Sequence, residues 1–282
     1  MSKFEFDREL DIAWCPGCGN FPLRNGLIKA LKELDLDPTQ VVFSSGIGQA
    51  AKMPQYIDAN YFNGLHGRGL SVAQAVQSVN PKLTVIAEGG DGDMYGEGGN
   101  HLLHNIRRNP NIAHIVHNNM IYGLTKGQAS PTSQKGMETN VQVSGVYNEP
   151  LNPIALALAL GATFVARAFT GDTERTKDII KAAIQHEGYA LVDIFHPCPT
   201  FNKINTFAWY KNNTYWLDEN HDPSDLKKAM DMAMNDEKYA LGILYKKEGQ
   251  LTFDQAHPVY KNDQTPIVLR KRDIKQVQKL IR

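Results

Sequence analysis

The sequence predicts an α/β fold: a mostly parallel sheet with helices on both faces, plus a C-terminal extension. Three observations carry this. Short β-branched runs bounded by turn residues alternate with amphipathic stretches, the pattern of strands covered on both faces by crossover helices. The segments after those runs are rich in Gly, Asn and Asp, as expected where strands end at a ligand crevice. Near residue 200 the composition shifts toward Lys, Asp and Asn, with aromatics at Phe207, Trp209, Tyr210, Tyr215 and Trp216. That shift divides the chain into a domain over 1–200 and an extension over 201–282, packed on the core or on a partner.

The elements follow in order. Arg24–Leu34 places Leu27, Ile28, Leu31 and Leu34 at helical spacing. Gln40–Ser44 is the first strand. Ser71–Val79 is a helix opening on a good N-cap residue type. Leu83–Ala87 is the second strand, and Asn100–Arg107 a helix after a Gly pair. Ile112–Val116 is the third strand. Ile154–Leu160 is a helix entered through Pro153, whose missing N–H costs nothing at a first turn. Thr163–Arg167 is the fourth strand. Thr173–His186 carries Ile179, Ile180, Ala183 and Ile184 on one helical face, and Ala190–Phe195 is the fifth strand. The extension has one helix near Ser224–Met234. The chain shows no internal repeat and no low-complexity segment.

The 282 residues include 30 Lys+Arg and 30 Asp+Glu, for a net charge of zero with His neutral. This balance gives no electrostatic footprint for nucleic acid or an anionic membrane. An apolar content of 42% supplies a globular core. No apolar run approaches the roughly 18 residues of a membrane span. Met1–Leu10 mixes charges of both signs, unlike a secretory signal. Three cysteines, Cys15, Cys18 and Cys198, are too few and odd for a disulfide framework. A cytoplasmic location follows, with the thiols as metal ligands or free.

The chemistry concentrates in the loops after the strands. Gly90-Asp91-Gly92 ends the second strand; 25 residues later Asn118-Asn119 ends the third. An Asp and an Asn at neighbouring strand tips can converge on one hard cation, and Mg²⁺ takes oxygen ligands while keeping phosphates in its shell. Glycines let backbone approach a diphosphate, and the next helix offers unpaired N–H groups. Gly-Asp-Gly alone reads equally as a turn with an incidental Asp; the Asn pair at this interval favours the metal loop. His66, in Leu65-His66-Gly67-Arg68-Gly69, is either a packing His in a turn or a donor to a bound anion. Arg68 has the same two readings. Cys15-Pro16-Gly17-Cys18 is a hook that suits zinc or an iron–sulfur cluster.

The Gly-Asp-Gly to Asn-Asn span resembles the thiamine diphosphate motif. With Trp14–Asn20, Ser45–Gly48, His66–Arg68 and Asn119–Thr132, residues 10–205 resemble the β subunits of 2-oxoacid:ferredoxin oxidoreductases in motif and order. The resemblance implies a thiamine diphosphate-binding fold. It implies Mg²⁺ held by Asp91, the Asn119 side chain and the Ile121 carbonyl. The cofactor would be cradled by Gly46, Ile47, Gly48, His66, Gly90, Gly92, Asp93, Asn118, Tyr122, Gly123, Leu124 and Thr125. His66 would face a substrate carboxylate or a cofactor oxygen. Lys52, past the first strand tip, would reach the distal carboxylate of a substrate such as 2-oxoglutarate; pyruvate has none. Leu124 would form an apolar wall beside it.

The family holds one 4Fe–4S cluster with four cysteines. Three match Cys15, Cys18 and Cys198; at the fourth position this chain has Gln49. The departure leaves open a cluster on three thiolates with Gln49, water or another group on the fourth iron, a 3Fe–4S form, zinc, or no metal. Only one diphosphate-binding unit is present, so the resemblance places the pyrimidine-binding unit and its activating glutamate on a separate α subunit. Glu88, Glu97 and Glu138 lie near the motif in sequence without being assignable to that role. The implied reaction is oxidative decarboxylation of a 2-oxoacid (2-oxoglutarate or pyruvate) to acyl-CoA and CO₂, with ferredoxin or flavodoxin as acceptor. The alternatives are a non-redox thiamine diphosphate-dependent decarboxylase subunit and a non-catalytic zinc-hook binding module.

Overall fold

The computed structural model describes residues 3–235, 237–271 and 273–281. A single eight-stranded sheet runs through it in the order β2-β1-β3-β4-β6-β5-β8-β7. The strands are β1 (Val41–Ser45), β2 (Asn60–Asn63), β3 (Thr84–Gly90), β4 (Ile112–Asn118), β5 (Phe164–Phe169), β6 (Tyr189–Phe195), β7 (Thr214–Trp216) and β8 (Tyr239–Lys246). Every pairing is parallel except β5 with β8. The helices are α1 (Asn20–Glu33), α2 (Gly69–Val79), α3 (Gly99–Arg108), α4 (Pro153–Ala159), α5 (Thr173–Gln185), α6 (Phe207–Asn213), α7 (Leu226–Ala233), α8 (Phe253–Ala256) and α9 (Ile274–Leu280). Among the described residues no helix is long and apolar enough to cross a membrane.

The strand side chains alternate between two cores, as the period of two requires. Ile86, Ala113, Ile115, Ala190, Val192 and Ile194 join α1 and α5 on one face. Val85, Ala87, Ile112, Val116, Tyr189 and Leu191 join α2, α3, α4 and α7 on the other. The same alternation sends β4's His114 to Tyr189 on the second face and its His117 to Asn20 of α1 on the first.

The expected strands and helices appear with shifted ends. The first helix starts at Asn20 rather than Arg24, because Leu23 is also buried against the sheet. Ser71 does not cap the second helix: that helix begins at Gly69, and the Ser71 hydroxyl donates back to the Arg68 carbonyl at 2.8 Å. Pro153 does open α4, with the Asn152 side chain capping the Ala155 N–H. Beyond residue 200 the chain holds more than the one expected helix. It adds β7 and β8 to the same sheet, and α6, α8 and α9 besides α7.

The strand order reverses beside β1: the chain leaves β1 for β2 on one side, then returns to β3 and β4 on the other. In such sheets the crevice opens outside the C-terminal ends of the strands at that reversal. Here the tips of the four neighbours β1, β3, β4 and β6 all point into it.

Candidate active site

One cavity lies over these four tips. Ile47, Gly48 and Gln49 reach it from β1, Gly90–Asp93 from β3, Asn119 and Ile121–Thr125 from β4, and His196 and Cys198 from β6. The Trp14–Cys18 hook and His66 close its sides. Of the residues singled out from sequence, Gly46, Lys52, Arg68 and Asn118 do not line it. Lys52 is half-buried on a short 3₁₀ helix after β1. Gly46 sits behind the wall, where a Cβ would stand 2.1 Å from Asp93 Oδ2. Leu124 stands on the rim, 41% exposed.

Asp91 and Asn119 are brought to adjacent tips by the β3–β4 register, in which Gly90 pairs with His117. Asp91 is 2% exposed. Its Oδ2 accepts the Ser130 hydroxyl at 2.5 Å and lies 2.6 Å from Thr132 Oγ1. Burial pushes its carboxyl up to about 6, against those hydrogen bonds, which pull the other way. Thr132 Oγ1 also lies 3.0 Å from Asn118 Oδ1. The Asn118 amide donates to Asp193, which takes Tyr95 OH at 2.9 Å and pairs with the buried Arg167 Nε at 3.0 Å. The Asn119 side chain accepts the Ile121 N–H at 3.1 Å, folding the tip into a turn. Met120 between them has φ +59°, a left-handed conformation costly for a non-glycine residue. The Ser133 hydroxyl holds it by donating to the Met120 carbonyl at 2.6 Å.

Asp93 ties three loops together. Its Oδ1 accepts the Ile47 N–H at 3.1 Å and the Gly67 N–H at 2.8 Å. Burial raises its carboxyl, and those two N–H groups oppose the rise. His66 Nδ1 lies 3.1 Å from Asp93 Oδ1 and 3.2 Å from Glu97 Oε2, close enough for attraction but not aligned as a hydrogen bond. Glu97 also takes Tyr122 OH at 3.0 Å. Burial and the Glu97 charge raise the Tyr122 phenol.

Cys15, Cys18 and Cys198 are free, half-buried thiols around one end of the cavity. Burial pushes the Cys18 thiol up to about 11, against the Asn20 N–H that favours the thiolate. Among the described residues no three His, Cys, Asp or Glu side chains converge on a point for one metal ion. Trp14 Nε1 donates to the Gln49 carbonyl at 2.8 Å and so locks the hook to the β1 tip.

Several contributors escaped the sequence reading. Ser130 and Thr132 lie within a motif run yet gained no role, because only the return of that loop over β3 brings them to Asp91. Arg167 and Asp193 sit inside apolar strands. Their signal was a charged residue in a buried run on each of two strands, on side chains that share a face.

Residues 41–194 match the family model described as the C-terminal TPP binding domain of thiamine pyrophosphate enzymes. Residues 198–262 match the model for the C-terminal part of the pyruvate ferredoxin oxidoreductase beta chain. The sequence is 43% identical to a 2-oxoacid:ferredoxin oxidoreductase subunit beta of Saccharolobus solfataricus, over 86% of this chain and 84% of that one. It is 44% identical to subunit beta of 2-oxoacid:ferredoxin oxidoreductase 1 of Aeropyrum pernix, over 82% and 72%. It superposes with a TM-score of 0.91 on a chain of the 2-oxoglutarate:ferredoxin oxidoreductase of Magnetococcus marinus, solved with 2-oxoglutarate, coenzyme A and succinyl-CoA bound. That match has 39% identity and covers 99% of this chain and 94% of that one. These relatives favour the redox reading over the non-redox decarboxylase. With four strand tips converging on one cavity in the order the motifs required, the chain belongs to the β subunits of the 2-oxoacid:ferredoxin oxidoreductases.

Proposed function

We propose that this protein holds thiamine diphosphate and Mg²⁺ in the four-tip cavity and carries out oxidative decarboxylation of a dicarboxylic 2-oxoacid, 2-oxoglutarate, to its acyl-CoA. The observation that carries it is the convergence of Asp91, Asn119 and the Ile121 segment on the same space as the thiols. The residues fit the groups. A buried carboxylate beside amide and carbonyl oxygens is a hard donor set suited to Mg²⁺. A Cβ on Gly90 would meet nothing nearer than Ala50 Cβ at 3.9 Å, so open space for a phosphate lies against the backbone there. When bound, thiamine diphosphate supplies the nucleophilic carbon and electron sink that the reaction needs.

The chain's own residues bind and orient. Asp91, Asn119 and the Ile121 carbonyl would hold Mg²⁺, with Ser130 and Thr132 fixing the carboxylate from behind. Gly90, Gly92 and the Tyr122–Thr125 segment would cradle the diphosphate. Asp93 and Glu97 set the position of His66, which would face the substrate or a cofactor oxygen. Leu124, on the rim of the cavity, would form an apolar wall beside the substrate. Cys15, Cys18 and Cys198 line the same cavity, and with the family's cluster in view these thiols would hold an iron–sulfur cluster. An α subunit would supply the glutamate that activates the aminopyrimidine. Coenzyme A would take the acyl group, and ferredoxin or flavodoxin the electrons. Three free cysteines suit the reducing cytoplasm.

The test is dye reduction by the anaerobic complex with its α subunit, given coenzyme A and either 2-oxoglutarate or pyruvate. The reading expects coenzyme A-dependent reduction favouring 2-oxoglutarate. Absence of reduction with every 2-oxoacid, in a complex that binds thiamine diphosphate, would refute it.

A further inference from the structure

A four-iron cluster of the common type takes four thiolates, and this chain has three cysteines in all. Of the β1-tip residues that share the cavity with them, Ile47, Gly48, Gln49 and Ala50, Gln49 carries a polar side chain. Its backbone is fixed on both sides: Trp14 Nε1 holds its carbonyl at 2.8 Å, and Gly48 before it takes φ +117°, open to glycine alone. Its side-chain Oε1 is buried and has no hydrogen-bond partner. Such an orphaned acceptor is a cost to the empty fold, and it lines the same cavity as the three thiols.

We propose that Gln49 faces the fourth corner of a cluster held by Cys15, Cys18 and Cys198, making one iron chemically distinct and removable. This rests on the iron–sulfur part of the function proposed above. A neutral amide oxygen is a hard, weak donor beside thiolates, which iron–sulfur clusters favour. The iron it faces is therefore the one that exchanges. Under ferricyanide the four-iron cluster, charge 2+, releases one Fe²⁺ and passes one electron to the oxidant, leaving a three-iron cluster of charge 1+ with all its sulfide. His196 is the other candidate in the same cavity, since its Nε2 is also buried and unpartnered.

The test uses the anaerobically purified complex, with iron, zinc and acid-labile sulfide analysis and EPR before and after ferricyanide. The expected result is loss of a single iron per cluster at constant sulfide, with the near-isotropic signal of an oxidised three-iron cluster. Fe²⁺ with dithionite then reverses the change. Gln49→Cys abolishes this conversion and His196→Ala leaves it intact. A wild-type four-iron cluster that resists the oxidant overturns the proposal, as does a conversion that responds to His196→Ala and not to Gln49→Cys. Zinc, or no metal, in a complex that still binds thiamine diphosphate overturns it while leaving the cofactor reading standing. If Gln49→Cys does not fold, the wild-type oxidation and repletion cycle decides alone.

Discussion

The two ends of the cavity are built differently. At the β3–β4 end, Asp91, Thr132, Asn118, Asp193 and Arg167 form a continuous polar chain from the cavity wall into the second core. At the thiol end, Gln49 Oε1 and His196 Nε2 are buried without partners. The Asp91 chain is held in shape by the protein's own hydrogen bonds before anything binds, while Asp93 Oδ2 nearby has no partner. The second end leaves buried acceptors that the cluster proposed above would complete. Substitutions at the first end should therefore damage the fold or the cofactor affinity, and those at the second should act mainly on the metal.

The largest expected effect tests the first half of this contrast. Arg167 is sandwiched against Phe195 and Tyr239, its guanidinium 4.9 and 5.2 Å from the ring centres. Arg167→Met leaves Asp193 buried without its cation and should lower stability by about 3–5 kcal/mol in denaturant unfolding. A loss under about 1 kcal/mol would mean that the chain behind Asp91 is not what shapes this end.

Much of this end was legible in the sequence. The Gly-Asp-Gly and Asn-Asn pairs mark the tips of β3 and β4, and apolar strands before both make them neighbours. The thiol end was legible in residue types but not in arrangement. Cys198 lies 180 residues from Cys18, and only the placement of β6 beside β4 brings them together. β2 was missed because Asn60–Asn63 is a short, exposed edge strand with Tyr61 50% and Phe62 49% exposed, so it lacks the apolar signal. β8 was missed because Gly242, at φ +136°, interrupts its apolar run.

Next in size, Asp91→Ala should weaken Mg²⁺-dependent thiamine diphosphate binding roughly a hundredfold or more by calorimetry, the usual consequence of removing one partner of a buried charge contact. Unchanged affinity would remove Asp91 from the metal site. A pH effect of a few kcal/mol should follow from the same carboxyl. Its folded value is raised from 3.8 to about 6 by burial. The ligand-free protein thus binds that proton more tightly folded than unfolded. The resulting stability is complete below about pH 4 and is lost as pH rises through about 6. Asp91→Asn, which has nothing to ionise, should gain on wild type in melting temperature across that window and hold its advantage to pH 7. Equal melting curves at every pH would show that Asp91 ionises without strain.

Thr132→Val should reduce Mg²⁺ affinity by about 10- to 100-fold with the fold intact, as loss of a supporting contact to a ligand does. The smallest effect lies at the other end. Gln49→Ala removes a side-chain oxygen that has no partner and should cost the ligand-free fold nothing, since it relieves an orphaned acceptor. A large loss there would show that the thiol end, too, is held by the protein alone.

The most direct test of the central claim is calorimetric titration of the assembled complex with thiamine diphosphate, once in Mg²⁺ and once in EDTA, alongside thiamine monophosphate. Tight binding of the diphosphate in Mg²⁺ only, with no comparable binding of the monophosphate, is the predicted result. Equal binding in EDTA, or no binding in either buffer, would contradict it.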